Sequence, residues 1–239
     1  MRYPLISLLV GFLLSLPPSA AAFCNEPQPR LVCAEFFSSP LIVEATLVQK
    51  SHEPGTGDEL DGYVYSLHVN RTVRGEAART IRVYEENSSG RATFDWVARR
   101  DYLLFLFPLT NKKGMWALDG CGNSGPLSKA AAALADIAKV KASTSGDAMI
   151  QGVVNGPDFA ATQPSSGLRV TARSAAGLFN AVTNKDGEFR MSVPAGRYVV
   201  SVNESSLSFR PYEFSYEDPE ALEIQPGGCA QVQFVDSQH

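Results

Sequence analysis

Thr183-Asn184-Lys185-Asp186-Gly187-Glu188-Phe189, followed by Val193-Pro194-Ala195-Gly196-Arg197-Tyr198-Val199-Val200, is the stretch on which the fold turns. It reads as two tight turns flanking one strand. Asn184 to Gly187 is a hairpin turn in which glycine is free to take a positive φ, and Pro194-Ala195-Gly196 is another. Working outward, Met149–Val154, Leu168–Ala172, Leu178–Thr183, Glu188–Val193, Arg197–Val202, Ala221–Ile224 and Gln231–Val235 are strand candidates. Seven short strands with turn punctuation predict a β-sandwich of roughly 90 residues.

Upstream, the small polar run Ala142-Ser143-Thr144-Ser145-Gly146-Asp147 has linker composition. The charge shifts there. Residues 23–141 carry 14 basic and 14 acidic residues, whereas 142–239 carry 6 and 11. A linker over 142–148 and a sandwich domain over 149–239 follow.

Before the linker, Leu41 to Gln49 is an apolar run closed by a Gly/Asp-rich loop from Ser51 to Gly62. Tyr63, Tyr65, Leu67 and Val69 alternate with Ser66 and His68, the period of a half-buried strand. Ile81–Tyr84 and Met115–Leu118 are shorter strands, and Tyr102–Phe107 is apolar throughout, as in a strand buried on both faces. Leu127 to Val140 turns alanine-rich with a helical period, and Ser128 is its expected N-cap. Five strands and one helix over 23–141 predict a closed barrel of the OB type. The fold class is therefore mainly β: a five-stranded OB-like barrel with one C-terminal helix, then a seven-stranded sandwich.

The chain has 239 residues, 44% hydrophobic and 19% charged, with a formal net charge of −4. That composition buries a core and excludes wholesale disorder. It also excludes nucleic acid as a partner in the ordinary electrostatic sense. Residues 1–22 read as a signal peptide: Arg2, then the 12-residue run Leu5–Leu16, then Pro17-Pro18 and the small residues Ser19-Ala20-Ala21-Ala22. A spanning helix needs about 20 apolar residues, so no stable membrane span is expected. The mature chain would begin at Phe23, in a secreted or periplasmic location. In such a compartment Cys24, Cys33, Cys121 and Cys229 are expected to form two disulfides, and spacing alone leaves three pairings open.

The run from Thr183 to Val200, with Ile150-Gln151-Gly152-Val153-Val154 upstream, resembles the carboxypeptidase regulatory-like domain, a transthyretin-like sandwich. That resemblance makes Phe189 and Tyr198 core aromatics. The first half resembles the netrin-like, metalloproteinase-inhibitor-like domain of exported bacterial proteins. The matching pieces are Cys24 and Cys33, Ile42-Val43-Glu44-Ala45, Val73-Arg74-Gly75, Tyr102-Leu103-Leu104-Phe105 and the run from Cys121 to Ser128. Cys229-Ala230-Gln231-Val232-Gln233-Phe234 is similar to a strand of two-domain members. The resemblance implies Cys24 paired with Cys121 and Cys33 with Cys229. The sequence departs from the inhibitors of this class in having Phe23 before Cys24, the next cysteine only at Cys33, and no cysteine in Arg91-Ala92-Thr93-Phe94. Chelation of a protease zinc would require the mature chain to start at Cys24.

No reaction centre emerges. Gly120-Cys121-Gly122-Asn123-Ser124-Gly125 fits GxGxxG, but a dinucleotide site needs a βαβ unit, so a turn shaped around a disulfide is expected. Ser124 would need a positioned base, and His52, His68 and His239 have no evident orienting carboxylate. No metal-ligand spacing occurs; Asp58, Glu59 and Asp61 read as a solvated hairpin tip. Catalytic, cofactor and metal residues are therefore none. The sequons at Asn70, Asn87 and Asn203 are expected bare in a bacterial host. One segment has the makings of a binding surface: Tyr212, Phe214 and Tyr216 alternate, with Phe209 and Arg210 just upstream and an acidic run beside them. The plainer expectation is that one aromatic face packs on the sandwich core. The sequence thus describes an exported, non-catalytic binding protein on a disulfide-braced scaffold, with a protein, glycan or envelope component as partner. The alternative is a metalloprotease inhibitor.

Overall fold

The computed structural model describes residues 30–55, 60–88, 91–143, 146–156, 165–203, 209–212 and 216–236. Five strands close a barrel: β1 (Leu41–Glu53), β2 (Gly62–Arg74), β3 (Thr80–Glu86), β4 (Asp101–Pro108) and β5 (Trp116–Leu118). The order around the ring is β1-β2-β3-β5-β4, and β4 returns to β1. Only β3 with β5 is parallel. β1 pairs with β2 on one edge and β4 on the other, and its register with β2 slips three times, last between Leu47 and Gln49. Each extra residue bends the strand and adds twist. Val48, left unpaired by that last slip, stands 62% exposed.

The run Tyr102–Phe107 of β4 is apolar throughout because both of its faces are covered. Tyr102, Leu104 and Leu106 point into the barrel with Leu41, Val43, Leu67 and Val83. Leu103 and Phe105 point outward, into a second cluster beneath two helices. These are α1 (Val32–Ser38) and α2 (Ala131–Ala142), which add Phe36, Ile137 and Val140. The two-residue strand β6 (Gly125–Pro126) leans on the other edge of β4.

Two of the helical expectations change. Among the described residues there are two α-helices rather than one; α1 spans only seven residues and has no side-chain cap to announce it. Ser128 does not cap α2. It sits inside a 3₁₀ turn, Leu127–Lys129, and α2 starts from Ala130 with no side-chain cap.

Among its described residues the second half contains eight strands rather than seven: β7 (Asp147–Asn155), β8 (Arg169–Ser174), β9 (Gly177–Val182), β10 (Glu188–Pro194), β11 (Gly196–Asn203), β12 (Phe209–Pro211), β13 (Leu222–Ile224) and β14 (Cys229–Asp236). They form two sheets, β10-β7-β14-β12 and β13-β11-β8-β9. The addition is β12, three residues at a sheet edge; its Pro211 is tolerated there because an edge strand has a side that needs no donor. Between the sheets lie Ile150, Val170, Phe189, Tyr198, Val200 and Val232. The first turn is an Asx turn: Asn184 Oδ1 accepts from the N–H groups of Asp186 (2.8 Å) and Glu188 (3.0 Å), and Gly187 holds φ 72°. Tyr198 closes the second turn by donating to the Pro194 carbonyl at 2.6 Å.

A covalent link joins the halves: Cys33 in α1 is bonded to Cys229 at the start of β14, 196 residues away. Around it Leu31 N–H donates to Gln231 Oε1 at 2.9 Å. Gly227, at φ 72°, passes so close to Ser143 that a Cβ would lie 2.5 Å from the serine Cβ.

Candidate binding face of the barrel

The mouth of the barrel is closed by the segment between β3 and β4, and the sequence explains how. Phe94 and Trp96 are two residues apart beside a bend, and both rings pack against the barrel core. Trp96 stacks on Tyr65 of β2, centroids 4.4 Å apart and planes 19° apart, and meets Tyr102 of β4 at 4.8 Å. Phe94 lies 5.0 Å from Trp96 and 5.4 Å from Tyr102. Such offset ring contacts add about 0.5–1.5 kcal/mol each beyond area burial.

Polar groups fix the same segment. Glu85 of β3 is 9% exposed; one carboxylate oxygen accepts from Ala92 N–H at 2.9 Å and the other from Trp96 Nε1 at 2.8 Å. Tyr102 accepts from Val97 N–H at 2.6 Å and donates to the Asp95 carbonyl at 3.2 Å. Burial, reinforced by the Glu85 charge, holds the Tyr65 hydroxyl above the ordinary tyrosine range.

Outside this plug is a cavity of about 300 Å³, bounded by Tyr63, Tyr65, Trp96, Lys50, Arg91 and residues 85–87. Lys50 Nζ lies 3.8 Å from the Tyr63 ring centre and 5.5 Å from that of Tyr65. A larger open groove of about 760 Å³, bordered by Arg100, Lys129 and Pro126, shares Thr93, Phe94 and Asp95 with it. The Phe94 segment is thus a ridge between two concave surfaces.

The residues singled out in the sequence fall elsewhere. Phe209 packs against the sandwich core and Arg210 is exposed on β12. Tyr212 N–H donates to the Gln233 carbonyl, whereas Tyr216 lies under Arg30, 4.9 Å from the guanidinium. The structure therefore separates Phe209 from Tyr216 and assigns them to different surroundings; Phe214 lies outside the described residues. Cys121 is disulfide-bonded, and Cys24, its expected partner, also lies outside them, as do Phe23, the signal segment 1–22, Asp58, Glu59 and His239.

The GxGxxG loop is shaped around a buried carboxyl. Glu35 of α1 is fully buried, and one oxygen accepts from both the backbone N–H and the side-chain amide of Asn123, each at 2.7 Å. Its other oxygen has no partner and lies where a Cβ on Gly122 would have to go. Arg30 beside it pairs with Asp119 at 3.0 Å. Burial pushes the Glu35 carboxyl up, opposed by the Asn123 bonds and the Arg30 charge. Burial likewise raises Glu217, opposed by the N–H of Gln231, and pushes Tyr216 up to about 12.

Ser124 accepts from Phe105 N–H at 2.9 Å, so its hydroxyl ties the loop to β4. His52 does have a carboxylate, contrary to expectation: Asp61 across the β1–β2 hairpin brings its Oδ2 to 2.8 Å from Nε2. The hairpin pairing of Glu53 with Gly62 brings the two together, and both side chains are about half exposed. Among the described residues no group of three or more acidic, histidine or cysteine side chains is placed to hold a metal ion, and no helix is long and apolar enough to cross a membrane.

No protein-family model matches the chain, and a search of curated proteins finds no match. A solved structure, BcpA, the major pilin subunit of Bacillus cereus, aligns over 83% of this chain at 9% identity with a TM-score of 0.25. The alignment takes in 59% of the pilin's length, and a score that low carries neither fold nor function across.

Proposed function

We propose that this chain is an exported, non-catalytic binding protein. In this reading a netrin-like barrel of OB type and a carboxypeptidase regulatory-like sandwich are braced into one body, and the ligand is taken at the barrel mouth. The observation that carries it is the cavity of about 300 Å³ lined by Tyr63 and Trp96 and edged by Lys50, Arg91 and Glu86. The plug is held by hydrogen bonds from Glu85 and Tyr102, so the cavity is formed before a ligand arrives. The Cys33–Cys229 bridge supports export, since such bonds persist in oxidising compartments.

The test uses the full mature chain, wild type and a Tyr63→Ala/Arg91→Ala double variant, immobilised and challenged with envelope fragments of the native host. Retention by the wild type and its loss in a double variant of unchanged far-UV circular dichroism supports the reading. Equal retention by both, or none by either, overturns it.

A further inference from the structure

We infer that the barrel-mouth cavity takes an uncharged glycan, one pyranose ring seated on the aromatic floor. This rests on the binding reading above and names the ligand class for the same site. A sugar ring is amphipathic: its C–H groups form an apolar face, and its hydroxyls, each both donor and acceptor, form the rim. The cavity has that form inverted. Its floor is Tyr63 and Trp96, both partly exposed, with Tyr65 buried beneath the Trp96 ring. Its rim carries donors on Lys50 and Arg91 and acceptors on Glu86 and Asn87, whose side-chain oxygen accepts from Arg91 at 3.4 Å. A volume of about 300 Å³ is at the small end of ligand sites, the scale of one ring with part of a neighbour.

Charge decides against the other occupants of an OB barrel. Lys50 and Arg91 line the cavity together with Glu85 and Glu86, two of each sign, and Asp95 adds a further negative charge on the ridge. A phosphate polymer draws its affinity from unopposed positive charge, which this rim lacks. An uncharged polyol loses nothing to those carboxylates and can hydrogen-bond to both signs. The adjoining groove across the Phe94 ridge leaves room for further rings of an oligomer.

The chain has two tryptophans, Trp96 and Trp116, which supplies the readout. In the full mature chain carrying Trp116→Phe, Trp96 fluorescence is titrated with cellohexaose, mannohexaose and an N-acetylglucosamine hexamer, and separately with a thymidine 20-mer. Saturable change with at least one sugar hexamer, weakened tenfold or more by Tyr63→Ala and severalfold by the rim variant Arg91→Ala, supports the glycan. The oligonucleotide should leave the signal unchanged. Silence with all three hexamers overturns the glycan. If envelope retention nevertheless still depends on Tyr63 and Arg91, the binding face survives with another ligand class; if it does not, both readings fall. Should Trp116→Phe fail to fold, isothermal calorimetry on the otherwise unaltered chain gives the same comparison.

Discussion

Glu35 and Gly122 form one steric and electrostatic unit. The carboxyl is buried, keeps an oxygen without a donor, and presses that oxygen against the glycine. An alanine at 122 would place a methyl on the oxygen, and overpacking of this kind costs about 1–3 kcal/mol. Gly122→Ala should therefore lower the urea midpoint without altering the m-value. The titration of Glu35 has a definite sign. Its folded pKa is raised above the ordinary 4.5, by burial first of all, so as pH rises the unfolded chain releases its proton first. The stability contribution is complete in acid and is lost from about 4.5 upward until the folded carboxyl ionises as well. Glu35→Gln should give a shallower fall in stability over that window; an unchanged slope in urea titrations at stepped pH would refute this. Glu217, raised for the same reason, acts in the same direction, so the double Gln variant should be flatter still.

At the scale of elements, the plug between β3 and β4 hangs on Glu85. Removing the carboxylate leaves Ala92 N–H and the Trp96 indole N–H without their acceptor, at about 1–3 kcal/mol. Glu85→Ala should shift Trp96 emission to the red and make the 91–100 segment sensitive to protease, while the barrel strands persist. Leu104→Ala, inside the ring, should instead destabilise the whole barrel by about 2–5 kcal/mol in chemical denaturation. The sequence made some of these elements easy to read. Tyr102–Phe107 is apolar at every position because both its faces are covered, and Asn184 to Gly187 contains its own turn chemistry. Others were hidden for physical reasons. Seven residues without a cap, Val32–Ser38, are held by tertiary packing, and propensity alone does not reveal them. The alternation of Phe94 with Trp96 was visible, but its partners Tyr65, Glu85 and Tyr102 come from three strands that only barrel closure brings together. Tyr212 and Tyr216 alternate in the sequence as well, but nothing in that spacing shows that Tyr216 is partly buried under Arg30, a residue nearly 190 positions upstream.

The molecule as a whole depends on how α1 meets β14. A bridge across 196 residues restricts the unfolded chain by on the order of 5 kcal/mol in the chain-entropy model. Cys33→Ser/Cys229→Ser should lower the melting temperature by several degrees and split one calorimetric transition into two, for barrel and sandwich separately; a single undiminished transition would count against it. The same bridge has an analytical side. A proteolytic nick at any surface loop between the two cysteines leaves both pieces tethered, so the clipped protein keeps its apparent size on a gel until a thiol is added. A homogeneous band under oxidising conditions is therefore no proof of an intact backbone in this protein.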